Sequence, residues 1–252
     1  MSQAMTVLLD RRDGVGVITI NLPERRNSLT LPMSAQLVEH VRACEQDDDV
    51  HAIVVTGAPP AFCAGADLTA LGEAREEGLR AIYAGFLAVA ASPLPTVAAV
   101  NGPAVGAGLN LALACDVRLA GPEARFDARF LQLGIHPGGG MTWMSQRVAG
   151  PQTAAAMTLF GQVLDADEAV RTGLAFRKVD DVVPAAVEFC QAAVKAPREL
   201  VVTTKRTLRT TAAYHRHDDA VETELVAQLA SMETPAFAEL LSAMRERISR
   251  QA

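Results

Sequence analysis

Residues 95–121 read PTVAAVNGPAVGAGLNLALACDVRLAG, and this stretch decides the fold class. Thr96 to Val100 is apolar, β-prone and of strand length; from Gly106 to Ala114 the apolar spacing turns helical; Val117 to Ala120 returns to strand. A helix joining two short apolar strands is the crossover that parallel pairing requires, so the stretch predicts an α/β fold. The N-terminal flank carries the same alternation. Thr6 to Arg11 and Val15 to Asn21 predict two strands joined by a turn at Asp13-Gly14. Thr30 is placed to cap a helix with Pro32 in its first turn and Leu37, Val38, Val41 and Cys44 on one face. Ala52 to Thr56 predicts a buried strand, and Leu68 to Ala91 a helix, weakened by Gly72, Gly78 and Gly85. On the C-terminal side, Gly139 to Val148 and Thr153 to Phe160 predict helices. Past Pro197 the strand pattern stops. Three helices are expected there: one from Glu199, one over Asp218 to Met232, and one over Pro235 to Ile248 with Phe237, Leu240, Leu241, Met244 and Ile248 in one stripe. The expected division is therefore a strand-rich core over 1–196 and a helical region over 197–252.

Composition narrows the function. The chain has 252 residues, 50% of them apolar and only 4% aromatic, so its interior is built from alanine and aliphatic side chains that let helices approach closely. With 23 Lys+Arg against 29 Asp+Glu the net charge is −6, and no basic stripe suited to nucleic acid stands out. No apolar run reaches membrane-spanning length and the N-terminus lacks a signal-peptide pattern, which predicts a cytoplasmic protein with no membrane span. Cys44, Cys63, Cys115 and Cys190 are scattered without a CxxC pair or a His partner at ligand spacing; buried, reduced thiols are expected and no metal site.

The two densest glycine/alanine segments are Ala61 to Asp67 and Asn101 to Gly108, each at a predicted strand-to-helix junction. Such junctions present free backbone N–H groups at the positive end of a helix, and small side chains let a ligand oxygen come within hydrogen-bond distance. Two of them together can bind one oxygen from two sides, as an oxyanion hole does. Either one alone reads more simply as a tight packing turn.

These segments belong to four blocks: PERRNSLT at 23–30, AIVVTGAPPAFCAGADL at 52–68, the opening stretch at 95–121, and FLQLGIHPGGG at 130–140. In that order and spacing they resemble the enoyl-CoA hydratase/isomerase family, the crotonase superfamily. The resemblance implies a spiral of ββα units, a C-terminal helical trimerisation region, and assembly as a homotrimer or dimer of trimers. It also implies an acyl-CoA thioester ligand, with coenzyme A entering as part of the substrate and no separate cofactor. By motif position the oxyanion donors are the N–H groups of Ala66 and Ala107. Ala64, Asp67 and Leu68, which adjoin the first of them, are expected to bind the substrate, and Asp67 has the alternative reading of a helix cap.

One departure bears directly on activity. Hydratases of this family use two glutamates, which align with Asn110 and Phe130; neither residue here can move a proton. His136 and Asp127 are the candidate replacements, the latter sharing a face with Phe130 if its segment is helical, although a turn histidine and a solvated or Arg129-paired carboxylate are the plainer readings. Arg25 and Arg26, together with Lys205 and Arg206, resemble positions that meet the nucleotide and phosphates of CoA. Phe130, Leu131 and Trp143 suggest an apolar acyl slot. The expectation is thus an acyl-CoA enzyme acting through a thioester enolate, with ordinary hydration in doubt. The alternatives are a non-catalytic acyl-CoA-binding protein, or an isomerase or lyase using His136 or Asp127 as base.

Overall fold

The computed structural model describes residues 5–67 and 75–251. The predicted helix start at Leu68 and the assignment of Leu68 to ligand binding lie outside the described residues. The chain divides into a first unit, Met1–Val194, and a second, Lys195–Ala252.

In the first unit, β1 (Val7–Arg12) and β2 (Val15–Ile20) form the expected hairpin, followed by α1 (Leu31–Gln46) and β3 (Ala52–Gly57). Then come α2 (Glu76–Ala91), β4 (Thr96–Val100), β5 (Pro103–Val105), α3 (Ala107–Ala114), β6 (Val117–Ala120) and β7 (Arg125–Asp127). The unit closes with α4 (Met141–Leu159), β8 (Leu164–Asp165), α5 (Ala166–Arg171), β9 (Arg177–Lys178), α6 (Val182–Phe189) and α7 (Gln191–Val194). Six strands form one sheet in the order β1-β2-β3-β4-β6-β9, parallel from β2 onward. Val15, Val17, Ala52, Val54, Val97, Ala99 and Leu119 face α6 in one apolar cluster, while Gly16, on the opposite face, lies against Cys44 of α1. Helices on both faces explain why β3 and β4 are buried at every position.

A second sheet, β5-β7-β8, takes its first strand from within the second glycine-rich segment. Its strands are two or three residues long and were not predicted. Asp127 ends β7 rather than lying on a helix, so the expected sharing of a helical face with Phe130 does not hold. The two helices predicted around residue 150 form one run, α4, broken where Gly150 takes a non-helical φ of 79° ahead of Pro151.

The second unit consists of α8 (Arg198–Thr211), α9 (His217–Met232) and α10 (Pro235–Gln251), which match the three predicted helices closely. Lys205 lies on α8 and is buried. Among the described residues, no helix is long and apolar enough to cross a membrane.

Asn27 ties down the loop that carries Arg25 and Arg26. It is fully buried with φ at +59°; its Oδ1 accepts from Leu22 N at 2.9 Å, and its Nδ2 donates to Ala58 O and Ala61 O at 2.7 and 2.6 Å. Replacing it with alanine removes three buried bonds and leaves a left-handed backbone that alanine tolerates poorly. Asn27→Ala is expected to cost about 2 kcal/mol, read as a lower urea midpoint at unchanged slope.

Candidate active site

A parallel bridge brings the two glycine/alanine segments together. Cys63 N donates to Pro103 O at 3.1 Å, and Val105 N donates to Cys63 O at 2.9 Å. From the other side, Leu29 N donates to Gly65 O at 2.7 Å and Asp67 N to Leu29 O at 2.9 Å. Gly65, with φ at +106°, sits so close to the second segment that a methyl group on it would lie 3.1 Å from Val105 O and 4.0 Å from Ala107 N. Gly106 caps α3 at a φ of +51°, its N–H bonded to Asp127 O at 2.9 Å. This framework leaves the N–H groups of Ala66 and Ala107 without hydrogen-bond partners among the described residues, both on the wall of a cleft of about 980 Å³. Cys63, directly behind them, is wholly buried, and burial pushes its thiol up to about 12, so it serves as packing and not as a nucleophile.

Asn110 lies one helical turn beyond Ala107 and is 1% exposed. Its Nδ2 donates to Gly138 O at 2.9 Å, which orients the amide, and its Oδ1 is buried with no hydrogen-bond partner among the described residues. Phe130, half-buried, lines the same cleft, as do Leu79, Ile82, Leu133 and Ile135. The apolar slot expected from Phe130, Leu131 and Trp143 is corrected accordingly. A short helical turn over Leu131–Leu133 sends Leu131 outward at 52% exposure, and Trp143 is 59% exposed with the Arg147 guanidinium 3.9 Å from its ring centre.

Charge gathers at the mouth. Arg25, Arg26, Arg125 and Arg129 line the cleft with Glu24, Asp67 and Asp127. Asp67 forms an ion pair with Arg25, and Asp127, nearly buried, forms one with Arg129. The capping reading of Asp67 concerns the residues that follow it, which lie outside the described ones; among the described residues Asp67 joins two loops through its ion pair with Arg25. His136 lines the cleft as an exposed residue, its Nδ1 2.7 Å from Pro137 O, as the plainer reading had it. Ala64 also lines the cleft. Sequence reasoning missed Tyr83 on α2, which lines the cleft half-buried, its ring centre 5.5 Å from that of Phe86. Its helical spacing from Leu79, Ile82 and Phe86 was the available signal.

A family model described as enoyl-CoA hydratase/isomerase matches residues 10–249. The chain belongs to the enoyl-CoA hydratase/isomerase family. It is 53% identical over 256 residues to the probable enoyl-CoA hydratase EchA14 of Mycobacterium tuberculosis, covering 98% of this chain and 100% of that protein. It is 39% identical over 176 residues to the 1,2-epoxyphenylacetyl-CoA isomerase of Escherichia coli K12, covering 67% of each. The crystal structure of an enoyl-CoA hydratase from Bacillus anthracis superposes with a TM-score of 0.90 at 27% identity, over 96% of this chain and 97% of that one. The α/β architecture with C-terminal helices is therefore the crotonase fold.

Proposed function

We propose that the cleft binds an acyl-CoA thioester and holds its carbonyl oxygen, as it gains enolate character, between the N–H groups of Ala66 and Ala107. The observation that carries this reading is the pair of N–H groups on one cleft wall that have no partner among the described residues, beside the hydrogen bonds between Cys63 and Pro103 and Val105. Donors that need no reorganisation stabilise developing charge more than they stabilise the ground-state carbonyl. The arginines at the mouth supply charge suited to the phosphates of CoA. Localisation in the cytoplasm and assembly into trimers or pairs of trimers accompany the reading.

Ordinary hydration is not part of it, because Asn110 and Phe130 cannot exchange protons. A second reading, an isomerase or lyase, is favoured by the Asp127 carboxylate, which lies in the cleft and whose backbone carbonyl holds the Gly106 N–H. Titration calorimetry tests the first reading: butyryl-CoA is expected to bind the wild type, and an absence of heat would overturn it. Rapid hydration of crotonyl-CoA by the wild type would overturn the exclusion of hydratase chemistry. For the second reading, isomerisation of a 3-enoyl-CoA is measured in Asp127→Asn and His136→Ala. Loss with the first substitution alone identifies Asp127 as the base, and an unchanged rate in both sets aside both residues.

A further inference from the structure

We propose that Arg129, steadied by Asp127 and joined by Arg125, binds a carboxylate at the far end of the acyl chain, an inference that rests on the acyl-CoA reading above. The preferred ligand is then the CoA thioester of a dicarboxylic acid. What carries this is the order of four segments across the cleft. The loop bearing Arg25 and Arg26 is joined to the first glycine/alanine segment by Ala64 N donating to Arg26 O at 3.0 Å and by the parallel bridge of Leu29 with Ala66. That segment is bridged to the second through Cys63 and Ala104, and the second pairs with β7 in the register Pro103 to Arg125 and Val105 to Asp127. Ala66 and Ala107 therefore belong to the two inner segments, and the arginines to the two outer ones. At about 4.8 Å between neighbouring segments, the outer two stand roughly 14 Å apart.

A thioester held by the inner pair runs in opposite directions from its carbonyl carbon, the phosphates one way and the acyl chain the other. The CoA thioester of a simple acid is anionic at one end only, which leaves one of the two basic clusters with no phosphate to meet. The lining shows which cluster that is. Phe130, Leu133 and Ile135, the apolar wall of the cleft, follow Arg129 directly in the chain, whereas Arg25 and Arg26 stand with Glu24 and Ser28.

Local structure builds a carboxylate receptor there. Strand alternation on β7 buries Phe126 in the core and turns Arg125 and Asp127 to the cleft. Arg129 takes left-handed backbone, with φ at +53°, and its guanidinium returns to the Asp127 carboxylate, which is 3% exposed. One edge of the guanidinium is thus anchored on a buried group. A guanidinium carries five N–H donors, and Asp127 is the one carboxylate paired with Arg129 among the described residues, so its outer edge is left to grip a second carboxylate in fork geometry. Arg125 is exposed, donates to the backbone carbonyls of Ala124 and Pro122, and has no carboxylate partner among the described residues. It supplies the net positive charge that Asp127 cancels at Arg129. A carboxylate at the chain end gains from both arginines, and a methyl group in the same place gains from neither.

Calorimetry with matched pairs tests the site: succinyl-, glutaryl- and adipyl-CoA against butyryl-, pentanoyl- and hexanoyl-CoA. In the wild type, at least one diacid thioester is expected to bind about tenfold more tightly than its uncharged match, as hydrogen bonds between charged groups allow, and the gain is expected to shrink as salt is raised. Arg129→Gln is expected to weaken that diacid about tenfold more than its match. Wild-type affinity no higher for any diacid than for its match would overturn the proposal while leaving the acyl-CoA reading intact. Equal weakening of both ligands by Arg129→Gln would place Arg129 on the phosphates they share, and would overturn it too, as would a preference that survives the substitution undiminished. Failure of all six thioesters to bind the wild type would remove the underlying reading, and the proposal with it. The wild-type comparison decides the matter even where the variant fails to fold.

Discussion

Crotonyl-CoA hydration is expected to rise by at least about 10²-fold when Asn110 and Phe130 are both replaced by glutamate, since each positioned proton-transfer group typically contributes about 10²–10⁴ in rate. The two sites differ in a way that suits the chemistry. Position 110 is 1% exposed and stands beside the Gly138 carbonyl, so a carboxyl there is penalised when charged and has its pKa raised, as an acid requires. Position 130 is half-buried on the cleft wall, where a carboxylate keeps more of its hydration and can activate water. Either single substitution is expected to give far less, because the reaction needs one proton taken and one delivered. Asn110→Glu also loses the donor that now bonds Gly138 O, so part of the gain is offset. The measurement is the disappearance of the conjugated thioester absorbance, with butyryl-CoA binding followed in parallel. A double variant that binds butyryl-CoA and hydrates no faster than the wild type would refute the view that these two side chains are what hydration lacks.

That expectation bears on the choice between an enzyme and a binding protein. An unreactive cleft that gains hydration through two side chains already has a competent oxyanion hole. The chemistry would then rest on whichever ionisable group touches the acyl chain. Asp127 and His136 both line the cleft, but they differ in surroundings: the first is nearly buried against Arg129, the second exposed at a proline turn.

Local pattern made the central crossover legible. Thr96 to Val100, Ala107 to Ala114 and Val117 to Ala120 lie almost where their spacing places them, since strands buried on both faces are continuous apolar runs and the helix between them is buried at all its positions. The two small-residue junctions were legible as a possible pair, while Ala66 and Ala107 were singled out only by motif position within the family resemblance. Contacts between distant segments were not legible. The second sheet joins β5 to β7 and β7 to β8 through strands too short to carry any periodicity. Asp67 reads locally as a helix cap, and its ion pair with Arg25 follows from bonds between distant segments, Leu29 with Gly65 and Asp67, and Ala64 with Arg26. Tyr83 has meaning for the site only beside Gly138, a contact that no local window contains. Leu131 and Trp143 were chosen for being apolar, and a single short turn decides which neighbours of Phe130 face inward.

Gly108→Ala is expected to destabilise the protein by about 2–4 kcal/mol and to lower Tm by roughly 4–16 °C. Gly108 is the second residue of α3, at the point where that helix crosses the first glycine/alanine segment. An added methyl group would overlap the Cys63 carbonyl oxygen and come within 2.8 Å of both the carbonyl carbon and Cβ of Cys63. The neighbour is backbone and cannot swing aside as a long side chain could. Relief requires α3 or the Cys63 segment to move, and Cys63 O accepts the Val105 N–H at 2.9 Å. Overpacking alone costs about 1–3 kcal/mol, and loss of one buried hydrogen bond adds about 1 kcal/mol. The same displacement would separate the N–H groups of Ala66 and Ala107, so the folded fraction of the variant is expected to bind butyryl-CoA more weakly than the wild type. Thermal unfolding and calorimetry check the two effects separately. A variant that melts within about 2 °C of the wild type would show that the backbone contact at Gly108 is softer than its geometry implies. Unchanged thioester affinity in a variant that is clearly destabilised would instead show that the spacing of the two donors does not depend on this crossing.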